Sequence, residues 1–181
     1  MPNLITLYHG TIHIFDNIDV TKGKPYKDFG IGFYVSQEQK HSSNLAKRNA
    51  TIEIERLNIV GITKEVHPYL YSYKFDLADM EKMNVKEFKA ADEEWVQFVT
   101  YNRSHKFQQH NYDIIIGPTA NDDTMPTVNL YLRGALGPVN DNATIKRFLE
   151  LIEPLKLPRQ SCFSTQRSVE LLKLVERSKL A

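Results

Sequence analysis

The sequence predicts an α+β fold, because short strands and amphipathic helices are mixed along the chain without strict alternation. Apolar runs that are β-branched or alternate by two indicate strands, whereas polar caps before apolar residues at helical spacing indicate helices. A chain of 181 residues can bury one sizeable core, and it contains no internal repeat or linker-like segment. We therefore expect a single domain over residues 1–181.

The first part of the chain predicts two strands and a helix. Apolar runs at 5–8 and 32–35 indicate strands; the first ends at a His-Gly pair, and the second follows a polar connection rich in Lys, Asp and Gly. The serine after the second strand can cap a helix over 37–49. On that helix, Leu45 and Ala46 would face the core.

The remainder of the chain predicts further elements of both kinds, from β-branched runs, alternating residues and acidic first turns. In chain order they are a strand over 69–75, a helix capped by Asp92, a strand over 112–116, helices over 125–136 and 142–151, and a strand over 159–163. Thr165 would then cap a last helix, with Val169, Leu172 and Val175 on its core side.

Composition and charge limit the function classes. The chain is 41% hydrophobic and 25% charged, as in ordinary globular proteins, and its net charge of +1 gives no global field for nucleic acid or membranes. Its single cysteine, Cys162, cannot form an internal disulfide and lies in an apolar run, which is typical of a small core residue. Neither a secretion signal nor a membrane-spanning run is evident. We therefore expect a cytoplasmic protein without membrane contact.

Motifs of other enzyme classes are absent or isolated. The Asp-Phe-Gly tripeptide at 28–30 matches a kinase metal-binding motif, but no glycine-rich phosphate loop, strand lysine or catalytic-loop pair accompanies it. The chain has six histidines, yet no Cys or Glu completes a recognisable metal-ligand set. Glu93 and Glu94 fit the solvated first turn of a helix. We expect no metal site.

Two short apolar runs, each carrying glycine and a polar aromatic group, are the most informative feature. The first contains His9 and Gly10, and the second contains Gly30, Gly32 and Tyr34. Glycine inside a strand pattern often marks a place where a ligand or another backbone approaches closely. Two such places predict a flat ligand held between two strands. Taken singly, the histidine and the tyrosine also fit purely structural positions.

These runs resemble motifs of a known superfamily. Residues 7–11 resemble the first-strand histidine motif of the ADP-ribosyltransferase superfamily, and 29–36 with 42–46 resemble the second motif of its diphtheria-toxin and poly(ADP-ribose) polymerase branch. Further blocks resemble a small bacterial family of uncharacterised domains assigned to that superfamily, so the resemblance covers nearly the whole chain. These blocks are 92–95, 101–103, 112–118, 120–122, 129–132 and 160–172.

The resemblance implies a fold and a ligand. The fold would be an ADP-ribosyltransferase-like split, two-sheet α+β structure, with NAD bound as substrate in the cleft between the sheets. His9 would hydrogen-bond a ribose hydroxyl, and the backbone of Gly10 would pair with the nicotinamide carboxamide. Tyr34 would stack on the nicotinamide ring, with its hydroxyl left free for a partner. The NAD-binding residues would be His9, Gly10, Thr11, Gly32, Phe33, Tyr34, Ser36 and Asn44.

The third motif departs from the family pattern. The branch usually places a glutamate on a late strand against the nicotinamide ribose, whereas this chain has Gln160 there and no acid. A neutral amide can hold a ribose hydroxyl, but it adds no negative charge beside an oxocarbenium-like centre. The departure argues against chain elongation and leaves single transfer, NAD hydrolysis or NAD binding alone. The catalytic set would be His9, Tyr34 and Gln160, with Gln166 an alternative to Gln160.

The resemblance implies mono-ADP-ribosyl transfer from NAD to a macromolecular target, either a protein or a nucleic acid. By analogy, the protein would be an intracellular toxin restrained by an antitoxin partner. The alternatives are a catalytically silent NAD-binding module and an NAD glycohydrolase, in which water is the acceptor. The polar loop at 121–123 follows a strand end, where it would either meet a ligand or simply form a turn.

Overall fold

The computed structural model describes residues 3–120, 123–153, 155 and 157–181, and it confirms the α+β class. The strands are β1 (Leu4–Thr11), β2 (Phe33–Val35), β3 (Tyr69–Asp76), β4 (Val85–Glu87), β5 (Ile114–Pro118), β6 (Arg159–Phe163) and β7 (Lys173–Lys179). The α-helices are α1 (Gln39–Ile59), α2 (Glu93–Ser104), α3 (Met125–Leu132), α4 (Asn142–Ile152) and α5 (Gln166–Val169). Short 3₁₀ helices span Val20–Lys22 and Leu77–Lys82.

The strands form two sheets. The first sheet has three antiparallel strands in the order β1-β3-β7. The second sheet has four strands in the order β2-β6-β5-β4, in which β4 and β5 run parallel and the other neighbours run antiparallel. β1 and β2 are linked by one isolated bridge, between Tyr8 and Ser36. That bridge joins the edges of the two sheets at a single level.

The second sheet is buried on both faces. Because successive residues of a strand face opposite sides, Phe33 and Tyr34 enter different layers. Phe33 belongs to the apolar cluster between the sheets, whose other large members are Leu7, Tyr71, Tyr73, Phe75 and Phe163. Tyr34 packs against the cluster on the helix side, whose large members include Phe29, Trp95, Tyr131 and Phe148. Each fully buried side chain of this size contributes roughly 1.5–3 kcal/mol of transfer free energy.

α1 packs on the first sheet through small residues, which corrects one sequence prediction. Ala46 is fully buried as predicted, whereas Leu45 is 39% exposed. The reason is the close approach of the helix to β1: a Cβ on Gly10 would lie 1.8 Å from the carbonyl oxygen of Ser42. Only small side chains at helical spacing fit such a contact, and leucine is turned to solvent. No helix of the described part of the chain is long and apolar enough to cross a membrane.

The predicted C-terminal helix is wrong beyond its first turn. α5 spans four residues, and the chain then continues as β7, which pairs with β3. Val169 and Leu172 are buried as predicted, but Val175 is 58% exposed on an edge strand. The apolar spacing fitted a helix, yet pairing with the exposed edge of β3 supplies backbone hydrogen bonds that a short helix cannot match. Tertiary pairing overrides local propensity here.

Candidate functional site

β1 and β2 pair at one position and separate beyond it. Tyr8 exchanges two backbone hydrogen bonds with Ser36, at N···O distances of 2.8 and 2.9 Å. Since both backbone groups of Tyr8 point away from β3, those of Gly10 point the same way. No hydrogen bond to these groups of Gly10 is found among the described residues. The register of the bridge, if continued, would place Gly10 opposite Tyr34, and we call the unpaired space between them the split.

Gly10 has two distinct neighbours. In the plane of the sheet, its N–H and C=O face the split. Perpendicular to the sheet, α1 occupies the space that a side chain would need. The sequence pattern left open whether a ligand or another backbone approaches this glycine, and perpendicular to the sheet the structure shows the backbone of α1. The contact also buries Ser42, which was not among the predicted site residues; its hydroxyl donates to the carbonyl of Tyr8 at 3.0 Å.

His9 presents a neutral ring beside the split. Its Nδ1 lies 2.7 Å from the carbonyl oxygen of Tyr34. A carbonyl only accepts, so the proton is assigned to Nδ1, and Nε2 keeps a lone pair. The ring stacks on Phe33 at 4.2 Å and meets the edges of Phe15 and Tyr71. Burial lowers the pKa of His9 to about 4, against the opposing effect of the Tyr34 carbonyl. Nε2 is therefore a hydrogen-bond acceptor at neutral pH.

Tyr34 differs from the prediction that its hydroxyl is free. The hydroxyl donates to the carbonyl of Gly30 at 2.6 Å and accepts the backbone N–H of Phe29 at 3.1 Å. Burial raises the pKa of the phenol well above its usual value. These two hydrogen bonds hold the tight loop before β2, in which Gly30 has a φ of 83°. His9 and Tyr34 are thus joined through the Tyr34 carbonyl, with their rings on opposite faces of β2.

A buried carboxylate, Asp28, organises a polar cluster on the helix side of the second sheet. It is 3% exposed and accepts hydrogen bonds from Arg103 Nε at 2.7 Å, Thr119 Oγ1 at 2.9 Å, the Ala120 N–H at 2.9 Å and Gln160 Nε2 at 2.8 Å. Arg103 balances its charge. We call these five residues the Asp28 cluster. The third motif lies on β6, where no acid was expected. A carboxylate nevertheless lies beside Gln160, and it is supplied by Asp28, which precedes β2.

The Asp28 cluster was missed at the sequence level because aspartate is usually exposed, so its burial leaves no local pattern. A signal was nevertheless present on α2. Arg103 continues the spacing of the buried residues Val96 and Val99, which places a cation on an apolar helix face. A charge in that position needs a buried partner.

Gln160 and its alternative, Gln166, lie in different places. The side chain of Gln160 shares a face with Cys162 and Tyr34 and contacts Asp28. Gln166 is exposed, and its amide bonds the backbone of Ile18 at 3.0 Å. Of the two, only Gln160 belongs to the Asp28 cluster.

Four other predicted residues have structural partners. Thr11 is buried, and its hydroxyl accepts the N–H of His13 at 3.1 Å. Ser36 donates its hydroxyl to the carbonyl of Arg159 at 3.0 Å. A Cβ on Gly32 would lie 2.5 Å from Cys162 Sγ, so this glycine permits close pairing of β2 with β6. Phe33 supports the ring of His9.

Three further sequence predictions concern Asn44, Cys162 and the polar loop. Asn44 is exposed on α1, and no contact found in the described residues connects it to the split. Cys162 is fully buried, which raises the pKa of its thiol to about 12 and leaves it unreactive, as expected of a core residue. Of the polar loop, Asn121 and Asp122 lie outside the described residues, and Asp123 is exposed.

Two surface cavities of the described part of the chain lie away from the split. One, of about 390 Å³, is lined by Val20, Thr21, Ile31, Phe107, Gln108 and Ser164. Another, of about 470 Å³, lies over α4. No group of three or more His, Cys, Asp or Glu side chains that could hold a metal ion is found within the described ranges. Neither of these two cavities includes Gly10 or Tyr34, the residues on either side of the split.

Comparison with known protein families identifies a match over most of the chain. Residues 5–174 match a family model described as a protein of unknown function (DUF3990). No curated protein and no solved structure matches the chain.

Proposed function

This chain belongs to the DUF3990 family of proteins of unknown function, and we propose that it transfers ADP-ribose from NAD to a macromolecular target. The observation that carries the proposal is the split, where the N–H and C=O of Gly10 have no hydrogen-bond partner among the described residues and lie next to the neutral ring of His9. Motifs that resemble those of ADP-ribosyltransferases meet at this point of the fold.

The chemistry of the split suits the nicotinamide half of NAD. A backbone N–H and C=O from one residue offer a donor and an acceptor side by side, and a primary carboxamide offers the complementary pair. His9 Nε2, an acceptor, would receive a hydrogen bond from a ribose hydroxyl. The resemblance assigns both roles, and the tautomer of His9 agrees with the second.

The reaction would break the bond between nicotinamide and ribose. The electron pair of that bond leaves with the nicotinamide nitrogen, and the ribose carbon becomes oxocarbenium-like, as in glycoside cleavage. A nucleophile of the target then bonds that carbon and releases its proton to solvent. The charge of Asp28 is already balanced by Arg103, so the expected contribution of this chain is orientation of the substrate. Transfer of a single ADP-ribose unit fits a site that orients the substrate without adding a free negative charge.

A second candidate function is NAD binding without chemistry. It is favoured by one observation: position 160 is an amide, and the nearby carboxylate of Asp28 is occupied by hydrogen-bond donors. A silent module would then act by binding another macromolecule. An antitoxin partner stays a prediction from the resemblance.

The test uses purified protein, cell lysate and NAD labelled in its adenylate half. Label on protein or nucleic acid supports transfer, free ADP-ribose alone indicates hydrolysis, and binding without turnover indicates the silent module. Absence of NAD binding would overturn all three.

A matched pair of variants checks the site. His9→Phe keeps an aromatic ring against Phe33 but removes both nitrogens, and it should lower NAD turnover at least tenfold. The same substitution at the exposed His13 should leave turnover unchanged. Equal effects at the two positions would show that the split is not the site.

A further inference from the structure

The amide of Gln160 is held in one orientation by its partner. Its Nε2 donates to Asp28 Oδ2 at 2.8 Å. An ionised carboxylate only accepts hydrogen bonds, so it selects the donating end of the amide and rejects the carbonyl end. The other end, Oε1, is therefore directed away from Asp28. No hydrogen bond to that oxygen is found among the described residues.

Asp28 is itself immobilised. Both of its oxygens receive other donors: Arg103 binds Oδ1, while the Thr119 hydroxyl and the Ala120 N–H bind Oδ2. The residue is 3% exposed, and its own carbonyl receives the Asn102 amide at 3.3 Å. A carboxylate fixed by so many donors cannot turn to accommodate a flipped glutamine.

Gln160 lies at the level of the bridge between the sheets. Continuing the β2–β6 register places it opposite Ser36, the residue that pairs with Tyr8. The hydroxyl of Ser36 reaches the neighbouring carbonyl of Arg159, which supports this placement. The split begins at the same bridge.

We propose that Asp28 is a positioning residue that orients the Gln160 amide, so that position 160 presents a neutral acceptor, Oε1, to a ribose hydroxyl of NAD. The inference rests on the proposed function for the identity of the ligand. The orientation itself rests only on contacts within the chain. In this arrangement the buried acid never touches substrate; it determines which end of the amide does.

The first measurement tests orientation without ligand. The side-chain amide protons of Gln160, assigned in NMR spectra by their loss in Gln160→Met, should include one shifted downfield by the carboxylate. Asp28→Asn should abolish that shift. Asp113→Asn, which alters a buried carboxylate remote from Gln160, should preserve it. An unshifted amide in the wild type, or a shift that survives Asp28→Asn, would overturn the proposal.

The second measurement tests the role in binding. Titrations compare NAD with an analogue lacking the 2′-hydroxyl of the nicotinamide ribose. Wild type should prefer NAD by about tenfold, the value of one hydrogen bond to a hydroxyl. In Asp28→Asn the new amide can donate to Oε1, which turns Nε2 outward, and the preference should disappear. Gln160→Met should also lose it, which keeps the test valid if Asp28→Asn does not fold.

Rescue separates positioning from general damage. In the double variant Asp28→Asn with Gln160→Glu, the asparagine amide would donate to the glutamate and leave an acceptor outward again. The preference for NAD over the analogue should return. An equal loss for both ligands in Asp28→Asn, without rescue, would overturn the binding role. If wild type binds no NAD, the proposed function and this role fail together, whereas the NMR result decides the orientation separately.

Discussion

Asp28 and Asp113 are two buried carboxylates with nearly the same set of partners. They are 3% and 2% exposed, respectively. Each is satisfied by an arginine, a threonine hydroxyl and a backbone N–H. For Asp28 these are Arg103, Thr119 and Ala120; for Asp113 they are Arg167, Thr165 and Asn84. Ion pairing and burial alone therefore do not distinguish Asp28, for which a positioning role is proposed, from Asp113.

What distinguishes the two sites is one additional partner and the solvation of the cation. Asp28 also holds Gln160, the residue proposed to meet the ligand. The side chain of Arg103 is 19% exposed, whereas that of Arg167 is 61% exposed. Asp113 connects β4, β5 and α5, which is an architectural role. The group that a buried charge holds is therefore more informative about function than the charge itself.

The largest effect is expected when each carboxylate is removed. Asp28→Ala leaves Arg103 and other donors unpaired in a poorly solvated place, so the free energy of unfolding should fall by about 3–5 kcal/mol. Asp113→Ala should cost less, about 1–3 kcal/mol, because water can solvate Arg167. Urea denaturation of the two variants measures the difference. Equal losses of unfolding free energy in the two variants would show that the solvent exposure of the paired arginine does not determine the cost.

Acidification should lower the free energy of unfolding in two separate pH ranges. Protonation of His9 accounts for the loss in the upper range. Its folded pKa of about 4 lies below the ordinary 6.5, so the unfolded chain binds more protons between these values. The contribution of the neutral ring is complete above pH 6.5 and is lost as the pH falls toward 4, by at most about 3 kcal/mol.

Asp113 governs the lower range. Arg167, the Asn84 N–H and the Thr165 hydroxyl hold its carboxyl pKa well below the usual value, against the effect of burial. Its contribution is present above about pH 4, the unfolded value, and is lost at lower pH. Melting temperatures from about pH 7 to 2 should show His9→Phe flattening the upper range and Asp113→Asn the lower. If one variant flattened both ranges, this assignment would fail.

A smaller effect is expected at the matched threonines. Thr119→Val and Thr165→Val each keep side-chain volume and remove one hydroxyl donor, at 2.9 and 2.7 Å from its carboxylate. Each should lower the free energy of unfolding by about 1–2 kcal/mol. Similar losses would support the conclusion that the two carboxylates are held in the same way. A loss at only one position would contradict it.

The smallest effect is expected at Asn44, which has an exposed side chain on α1 and none of these partners. Asn44→Ala should change the free energy of unfolding by less than about 0.5 kcal/mol. It provides the baseline for the buried sites. If NAD affinity nevertheless falls in this variant, the role that the resemblance gives to Asn44 is supported.

Local patterns predicted much of the fold because several elements carry complete signals. The β-branched run before Gly117 is a strand, Asp92 caps α2, and β6 has the predicted bounds of Arg159–Phe163. β7 was predicted as helix because its partner, β3, is distant in sequence. Leu45 was assigned to the core because it is apolar. The close contact of α1 with Gly10 admits only small side chains, and no apolar pattern in the sequence shows that contact.

The geometry around the candidate site was harder to predict. Glycine and polar aromatic residues in two runs drew attention to His9 and Tyr34, and in the structure the ring of His9 bonds the backbone carbonyl of Tyr34. The split itself depends on where two strands stop pairing, which no single residue encodes. Asp28 was invisible because a carboxylate is buried only when remote donors assemble around it.

The position of β7 in the first sheet has a consequence for how the molecule forms. β3 pairs with β1 on one side and with β7 on the other, so its neighbours come from distant parts of the sequence. Such long-range pairing raises contact order and makes folding slow compared with a helical bundle. During synthesis, the edge of β3 stays open until Lys173–Lys179 has left the ribosome. Completion of this sheet therefore waits for β7, whereas β1, which carries His9, and β3 are both available earlier.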